Sequence, residues 1–523
     1  MARARRGVDL FDLCVLAVLA GLSMWVVALD LWQAARHGLV WTGIDGELPV
    51  DQMQYLAWVQ DASRHLLVSD LFGLRATPHD YLQPMVAVSG GLTALGMAPW
   101  LALLVWKPVG VGAIFFAVRT YCRRVLATRA QQRAVLVLGL FAASFGTLGD
   151  EWIPFSSWGY PFALVALAIM VGALLAYDRA RREGRRTWLA PALGLLASWL
   201  HPWQGELLIL IVVGAELVAR GCSLRRARGP SLRRGRGPSL RHGFTRSIGL
   251  PVSTVAAAMA PLLYYAILDR ADEAWRLADA VTKHHLWSLE GALLPLAALL
   301  LAASLAYRRR PQGFLASATR VWPLAALTVW ALSKNGLGAT PLHAWAGITI
   351  PLAALAVEGA QSTGLRRLPA RRWLAVILLA ALTIPGTVQL MSAANGYIAP
   401  ATHNQNLIEP DEQQAFRYLA GNPEPGAVLS SYTLGDAVPG ETGRRVFAGD
   451  FRWSGPGYEL HERTTSKLLD GSITGSPARR FVLATGARFV LADCTLHADL
   501  TQTLAPIPLT VHRFGCATVY QIR

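Results

Sequence analysis

"TGIDGELPVDQMQYLAWVQDASRH" (Thr42–His65) sets Asp45, Glu47, Asp51 and Asp61 between two strongly apolar segments. The purpose of clustered carboxylates in such a place depends on the solvent in which the chain folds. Of 523 residues, 53% are hydrophobic and only 16% charged, and the mean hydropathy is +0.35. A soluble domain carries about 25% charged residues. These values describe an integral membrane protein. The net charge of +16 excludes little by itself, but nucleic-acid binding needs basic residues gathered on one soluble face. Here they fall in short clusters between apolar runs, so no nucleic-acid partner is expected. Lys107, Lys283, Lys334 and Lys467 are the only lysines, an arginine bias that points to a GC-rich bacterial genome.

The clusters orient the chain. "MARARRG" (Met1–Gly7) precedes an apolar run at about Leu10–Trp32, too long for a signal-peptide core and followed by no small-residue cleavage pattern. It reads as a retained first span with a cytoplasmic N-terminus, which puts the quoted stretch in a first outer loop, residues 33–83. The next basic cluster, Arg119 to Arg133, requires an odd number of intervening spans. Pro84–Met97 is short enough for an interfacial or re-entrant helix, leaving a span that ends at Arg119. Further spans are expected near Ala134–Gly149, Phe162–Tyr177, Trp188–Leu200, Gly205–Ala219, Leu250–Leu268, Leu289–Tyr307, Val321–Ser333, Ala344–Val357 and Trp373–Met391, about eleven in all. Inner segments then hold 30 of the 49 Lys and Arg residues, and everything after Met391 lies outside. The inner loop Cys222–Gly243 repeats RGPSLR with almost nothing to bury and is expected to be disordered.

Ser392–Arg523 has 12 acidic and 11 basic residues and no run long enough to span. "PDEQQAFRYLAG" (Pro410–Gly421) reads as a helix with Pro410 at its start and acids in its first turn. Short apolar runs, "AVLSS", "RRVFAG", "RFVLAD" and "ATVYQIR", alternate with helical stretches, the pattern of a small α/β domain. The fold class is therefore an α-helical polytopic membrane protein with a C-terminal extracytoplasmic α/β domain, divided into residues 1–391 and 392–523. Cys494 and Cys516 are the outer pair; a disulfide is allowed there, and two buried thiols are the alternative.

Ionisable residues near a bilayer mark a functional site by default. On this topology they collect at the outer ends of the spans: Asp45, Glu47 and Asp51; Asp150 and Glu151; His201, Gln204 and Glu206; Lys283, His284 and His285; Lys334, Asn335 and His343. They are expected to line a polar cavity open to the outer face. Plainer readings exist for some. Asp51 with Gln54 fits a helix N-cap and its box-like partner. Adjacent His284 and His285 do not share a helix face, which argues against a zinc site built from both. Lys107, within or just below the outer end of its span, needs an anionic partner.

A first span, an outer loop with an acidic residue followed by "QMQYLAW", a Pro-led helix "YLQPMVAVSGGLTALGM", a second span ending in arginine and an external α/β tail together resemble the GT-C superfamily. "TPLHAWAGITIPLAALAVEG" and "TGARFVLADC" resemble its late outer segment and tail strand. The resemblance covers the whole chain as architecture. It implies a membrane glycosyltransferase, here of the bacterial plasma membrane, using a polyprenyl-phosphate-sugar donor and a cell-envelope glycan or lipid acceptor. By the resemblance the first-loop carboxylate is the base, which makes Asp51 the first candidate and Glu47 the second, with inverting displacement. Lys107, His201, Lys334 and His343 become contacts for the lipid phosphate, and Asp150, Glu151 and Glu206 further substrate-binding residues. Asp51 is followed by Gln, so the family's paired acidic motif is altered here. No metal ligand is assigned; a divalent cation between Asp51 and Asp150/Glu151 is an option left by two acidic loops in one compartment. The competing class is a transporter or non-catalytic scaffold, but the halves show no matching broken-helix repeats of the kind transporters use.

Overall fold

The structure, a computed structural model, describes residues 7–143, 153–184, 188–227, 240–282, 288–335, 341–361, 371–400 and 405–523. Among them, six helices are long and apolar enough to cross a membrane: Pro99–Val125, Pro161–Glu183, Pro202–Arg220, Ile248–Ala271, Phe314–Lys334 and Trp373–Ile398. Shorter apolar helices, among them Leu189–Leu200, Ala297–Arg308 and Thr349–Ala360, and the helix Arg129–Phe141, apolar only in its second half, occupy most of the other expected spans. The chain is a multi-pass membrane protein.

Two expectations change. The first span is a pair of helices, Leu10–Ser23 and Trp25–His37, broken at Met24. The interfacial segment forms a helix only over Pro84–Ala94, with Pro84 at its start and the Gln83 side chain accepting from the Val86 N–H. Of the Cys222–Gly243 stretch, residues 228–239 lie outside the described residues; helices run to Ala227 and resume at Leu240.

The chain forms two compact units that do not follow its linear order. One comprises residues 1–24, 107–265 and 285–392; the other comprises 25–106, 266–284 and 393–523. The sequence-based division after residue 391 marks a change of composition, whereas compactness joins the first loop to the tail.

The first unit is a helix bundle. Pro161–Glu183 packs on Leu189–Leu200, Pro202–Ala227 on Phe314–Lys334, and Arg129–Phe141 and Ala297–Ser304 on Thr349–Ala360. Small residues permit the closest approaches: a Cβ on Gly359 would lie 2.3 Å from the Ala302 carbonyl oxygen. Arginines of the segments expected to be cytoplasmic meet acidic partners. Asp12 accepts from Arg119 (2.7 Å) and Arg123 (3.4 Å), Glu216 from Arg181 (2.9 Å), and Glu358 from Arg320 (2.5 Å). Each pairing compensates charge that burial would otherwise penalise.

The second unit is built around the tail. Strands β1 (Val40–Trp41) and β2 (Leu407–Ile408) pair antiparallel, Val40 opposite Ile408, so the first loop is stitched directly to the tail. The main sheet has the order β3 (Val428–Ser430), β4 (Phe489–Ala492), β6 (Ala517–Ile522), β5 (Leu509–Phe514). Its β3–β4 pair is parallel and the others antiparallel. Helices Pro410–Gly421, Tyr458–Leu469, Gly475–Thr485 and the short Leu500–Leu504 fall where helical stretches are expected, and Tyr432–Thr442 is a further helix. "RRVFAG" contributes only an isolated bridge from Val446 to Val428, and β5 is a strand the apolar runs did not announce because only one of its alternate faces is apolar. The core gathers Leu429, Leu468, Leu469, Val482, Val490 and Tyr520. Cys494 and Cys516 form a disulfide with Cα atoms 4.9 Å apart.

Candidate functional site

The helix Pro49–Ala62 presents the first-loop carboxylate. Pro49 fills its first position, where a missing N–H costs nothing. Its N-cap is Leu48, which makes no side-chain cap hydrogen bond, so Asp51 is not the cap but a first-turn residue. The preceding loop is tied instead by Gln52. Its Oε1 accepts from the Asp45 N–H (3.0 Å), and its Nε2 donates to the carbonyls of Asp45 (3.0 Å) and Leu48 (3.3 Å). Asp51 thus stands in the first turn of the helix, where the macrodipole favours negative charge. Gly440, on Tyr432–Thr442, lets that helix seat against this one: a Cβ there would lie 2.9 Å from the Leu56 Cβ.

Asp51 pairs with the guanidinium of Arg452, a residue of the tail. The same guanidinium lies 3.3 Å from Asp450 Oδ2, and the Arg452 N–H donates to Asp450 Oδ1 (2.8 Å). Asp51 and Arg452 are 15% and 19% exposed, while Asp450 is fully buried. A third carboxylate, buried Asp436, accepts from Gln405 Nε2 (2.7 Å) and from Tyr432. Burial pushes both Asp450 and Asp436 well above the usual carboxylate range, reinforced at Asp450 by the charge of Asp51 and at Asp436 by those of Asp450 and Asp51. Burial lowers Arg452 to about 10, which leaves it protonated at neutral pH. Asp51 and Asp450 thus share one guanidinium. Glu47 lies half-buried in the loop just before this helix.

Beside this cluster Trp58, Tyr81, Trp275 and Trp453 pack ring against ring. Trp58 is 4.5 Å from Tyr81 and 5.4 Å from Trp453, and Trp275 is 4.8 Å from Trp453, between centroids. Asp70, buried near Asp272, is raised to about 7, chiefly by burial.

The other described site residues, Lys107, His201, Glu206, Lys334 and His343, belong to the first unit. His201 closes the Leu189–Leu200 helix in extended conformation ahead of Pro202. It is buried, contacts Gln204, and its ring centroid lies 5.2 Å from that of His343. Trp203 covers both, at 4.6 and 4.1 Å. Glu206 follows one turn later, half-buried. Lys107 is buried and its Nζ donates to the Trp158 carbonyl (2.5 Å). Lys334 is exposed at its helix end, over the Trp330 ring at 5.1 Å. Asp150, Glu151, Lys283, His284 and His285 lie outside the described residues. Thus His201 and His343 come together within one unit, and Asp51 and Glu47 share the other with Arg452, Asp450 and Asp436.

Reading the sequence did not find Arg452, Asp450 or Asp436. The one signal was "GDFRWSGPG" (Gly449–Gly457), a charged pair enclosed by aromatics in a turn-rich stretch.

No family model matches the sequence, and no curated protein does. Solved structures do match in fold. The apo oligosaccharyltransferase of Archaeoglobus fulgidus is 14% identical, with a TM-score of 0.55 over 92% of this chain and 69% of that one. ArnT from Cupriavidus metallidurans, bound to undecaprenyl phosphate, is 13% identical, with a TM-score of 0.51 over 97% of each chain. Likeness at such identity is a statement about fold alone: this chain shares its fold with both of these structures.

Proposed function

We propose that the protein is a glycosyltransferase that moves a sugar from a polyprenyl-phosphate donor to an acceptor hydroxyl on the outer face of a bacterial plasma membrane. The observation that carries this reading is the Asp51–Arg452 pair at a helix N-terminus, with buried Asp450 sharing the same guanidinium. Transfer breaks the bond between the sugar's anomeric carbon and the phosphate oxygen and forms one to the acceptor oxygen. The acceptor proton goes to a carboxylate, and the phosphate departs on its lipid. Asp51 is the proposed base, with Glu47 second. Arg452 is the nearest cation able to meet developing phosphate charge, and its movement from Asp51 toward phosphate would free the carboxylate to take the proton. The undecaprenyl phosphate bound to ArnT supports a polyprenyl-phosphate lipid as donor class. The acceptor is proposed to be an envelope glycan or lipid. Lys107, His201, Lys334 and His343 are proposed contacts for a lipid phosphate, and Asp150, Glu151 and Glu206 for other substrate groups.

The test is transfer of labelled sugar from a panel of polyprenyl-phosphate sugars by protein in nanodiscs, with Asp51→Asn and Glu47→Gln beside wild type. Loss confined to Asp51→Asn supports Asp51 as base. Loss confined to Glu47→Gln moves the role to Glu47. Absence of turnover with every donor, from folded wild-type protein, overturns the reading.

A further inference from the structure

At the far end of the Pro49–Ala62 helix three metal-ligating side chains converge. Asp61 and His65 stand four residues apart across the helix end, the spacing that puts two side chains on one face. His79 is returned to them by the loop that follows: Val68 and Tyr81 pair as an antiparallel bridge, with the Val68 N–H donating to the Tyr81 carbonyl at 2.9 Å. His65 Nδ1 then lies 3.0 Å from Asp61 Oδ1, and His79 Nε2 lies 3.5 Å from Asp61 Oδ2. One ligand atom from each residue falls within 4.8 Å of the others.

We propose that Asp61, His65 and His79 bind a divalent zinc-class ion that clips the Ser63–Tyr81 loop to the end of this helix. Zinc bonds of roughly 2.0–2.1 Å in a tetrahedron set neighbouring ligand atoms about 3.4 Å apart, and one ligand atom from each of the three residues already lies within 4.8 Å of the others, so small side-chain rotations close the set. Two imidazoles and one carboxylate select zinc over magnesium or calcium, which prefer oxygen. The carboxylate is oriented as a ligand needs to be: Asp61 is 8% exposed, and its Oδ2 accepts from the Ser69 N–H (2.8 Å) and Ser69 hydroxyl (3.3 Å). The histidines are 49% and 39% exposed with ring centroids 4.2 Å apart, so the fourth position opens to solvent and water completes the set. Hydrogen bonding alone accounts for His65 on Oδ1 but less well for His79, which faces an Oδ2 that both Ser69 groups already occupy. The clipped loop carries Asp70 and leads into Tyr81 of the aromatic cluster, so the ion would hold one wall of the second unit. The inference does not depend on glycosyl transfer.

The experiment uses full-length protein in nanodiscs, stripped with chelator, dialysed and reloaded with zinc or cobalt. Wild type is expected to retain about one zinc per chain, to develop visible cobalt absorption and to melt higher when loaded. His79→Ala and His65→Ala, both at exposed positions, should elute as wild type yet hold less than about a tenth of that zinc and lack the cobalt bands. Wild type that retains no zinc and shows no cobalt absorption overturns the proposal. So does zinc that persists undiminished in both variants, since it is then bound elsewhere.

Discussion

Arg452 and Asp51, contributed by the tail and by the first loop, meet as an ion pair within one compact unit. Arg452 keeps a second partner in Asp450, so either carboxylate alone can hold it in place. This shared cation distinguishes the site from a lone solvated aspartate and makes its roles separable by mutation.

Asp51→Asn should lower transfer by at least about a hundredfold, the scale of a lost general base, while the melting temperature changes little because Arg452 retains Asp450. Initial rates with saturating donor, beside a thermal melt, check both halves of the expectation.

Arg452→Ala leaves Asp51 and Asp450 without their shared cation. Removing one partner of a largely buried pair costs about 3–5 kcal/mol. Thermal unfolding in nanodiscs should show a marked loss, and Arg452→Lys should recover part of it because a point charge replaces a fork.

Asp70 gives a pH dependence with a definite sign. Burial raises its folded pKa to about 7 from 3.8, so the native state holds a proton that the unfolded chain releases. That contribution to stability is fully present below about pH 4 and is lost as pH rises through about 7. Asp70→Asn, which keeps an acceptor for the Phe72 N–H (2.9 Å), should flatten this part of the profile and stabilise the protein at pH 8. Melting temperatures between pH 5 and 8 for both proteins provide the comparison.

The disulfide joins residues 22 apart, and a loop of that size contributes about 3 kcal/mol. Cys494→Ser with Cys516→Ser should lower stability by that order. In intact cells a membrane-impermeant reductant followed by an impermeant thiol label should modify these cysteines if the tail lies outside; protection until lysis would place it inside.

Much of the site was legible because its first half is local. An acidic residue two positions after a proline that opens a helix, in a loop between apolar runs, singles out Asp51 without any tertiary information. The capping reading of the same residue failed because the proline moved the helix start upstream and Gln52 took over the loop. Arg452 was not legible: "DFRW" has the composition of an ordinary turn, and its partner lies at the other end of the chain. The contact of His79 with Asp61 escaped for the same reason, since a histidine after Pro78 in a loop meets Asp61 only once Val68 and Tyr81 pair.

The sequence by itself determined the solvent, the positions of the apolar helices and most of the tail's alternation of helix and strand, because hydropathy and periodicity are properties of a few neighbouring residues. Tertiary structure alone decided that the first span breaks at Met24, that the first loop and tail make one unit, and that Asp51 meets Arg452. Those outcomes depend on packing and charge compensation between segments hundreds of residues apart, and such pairings become favourable only when the surfaces that bury them have already come together.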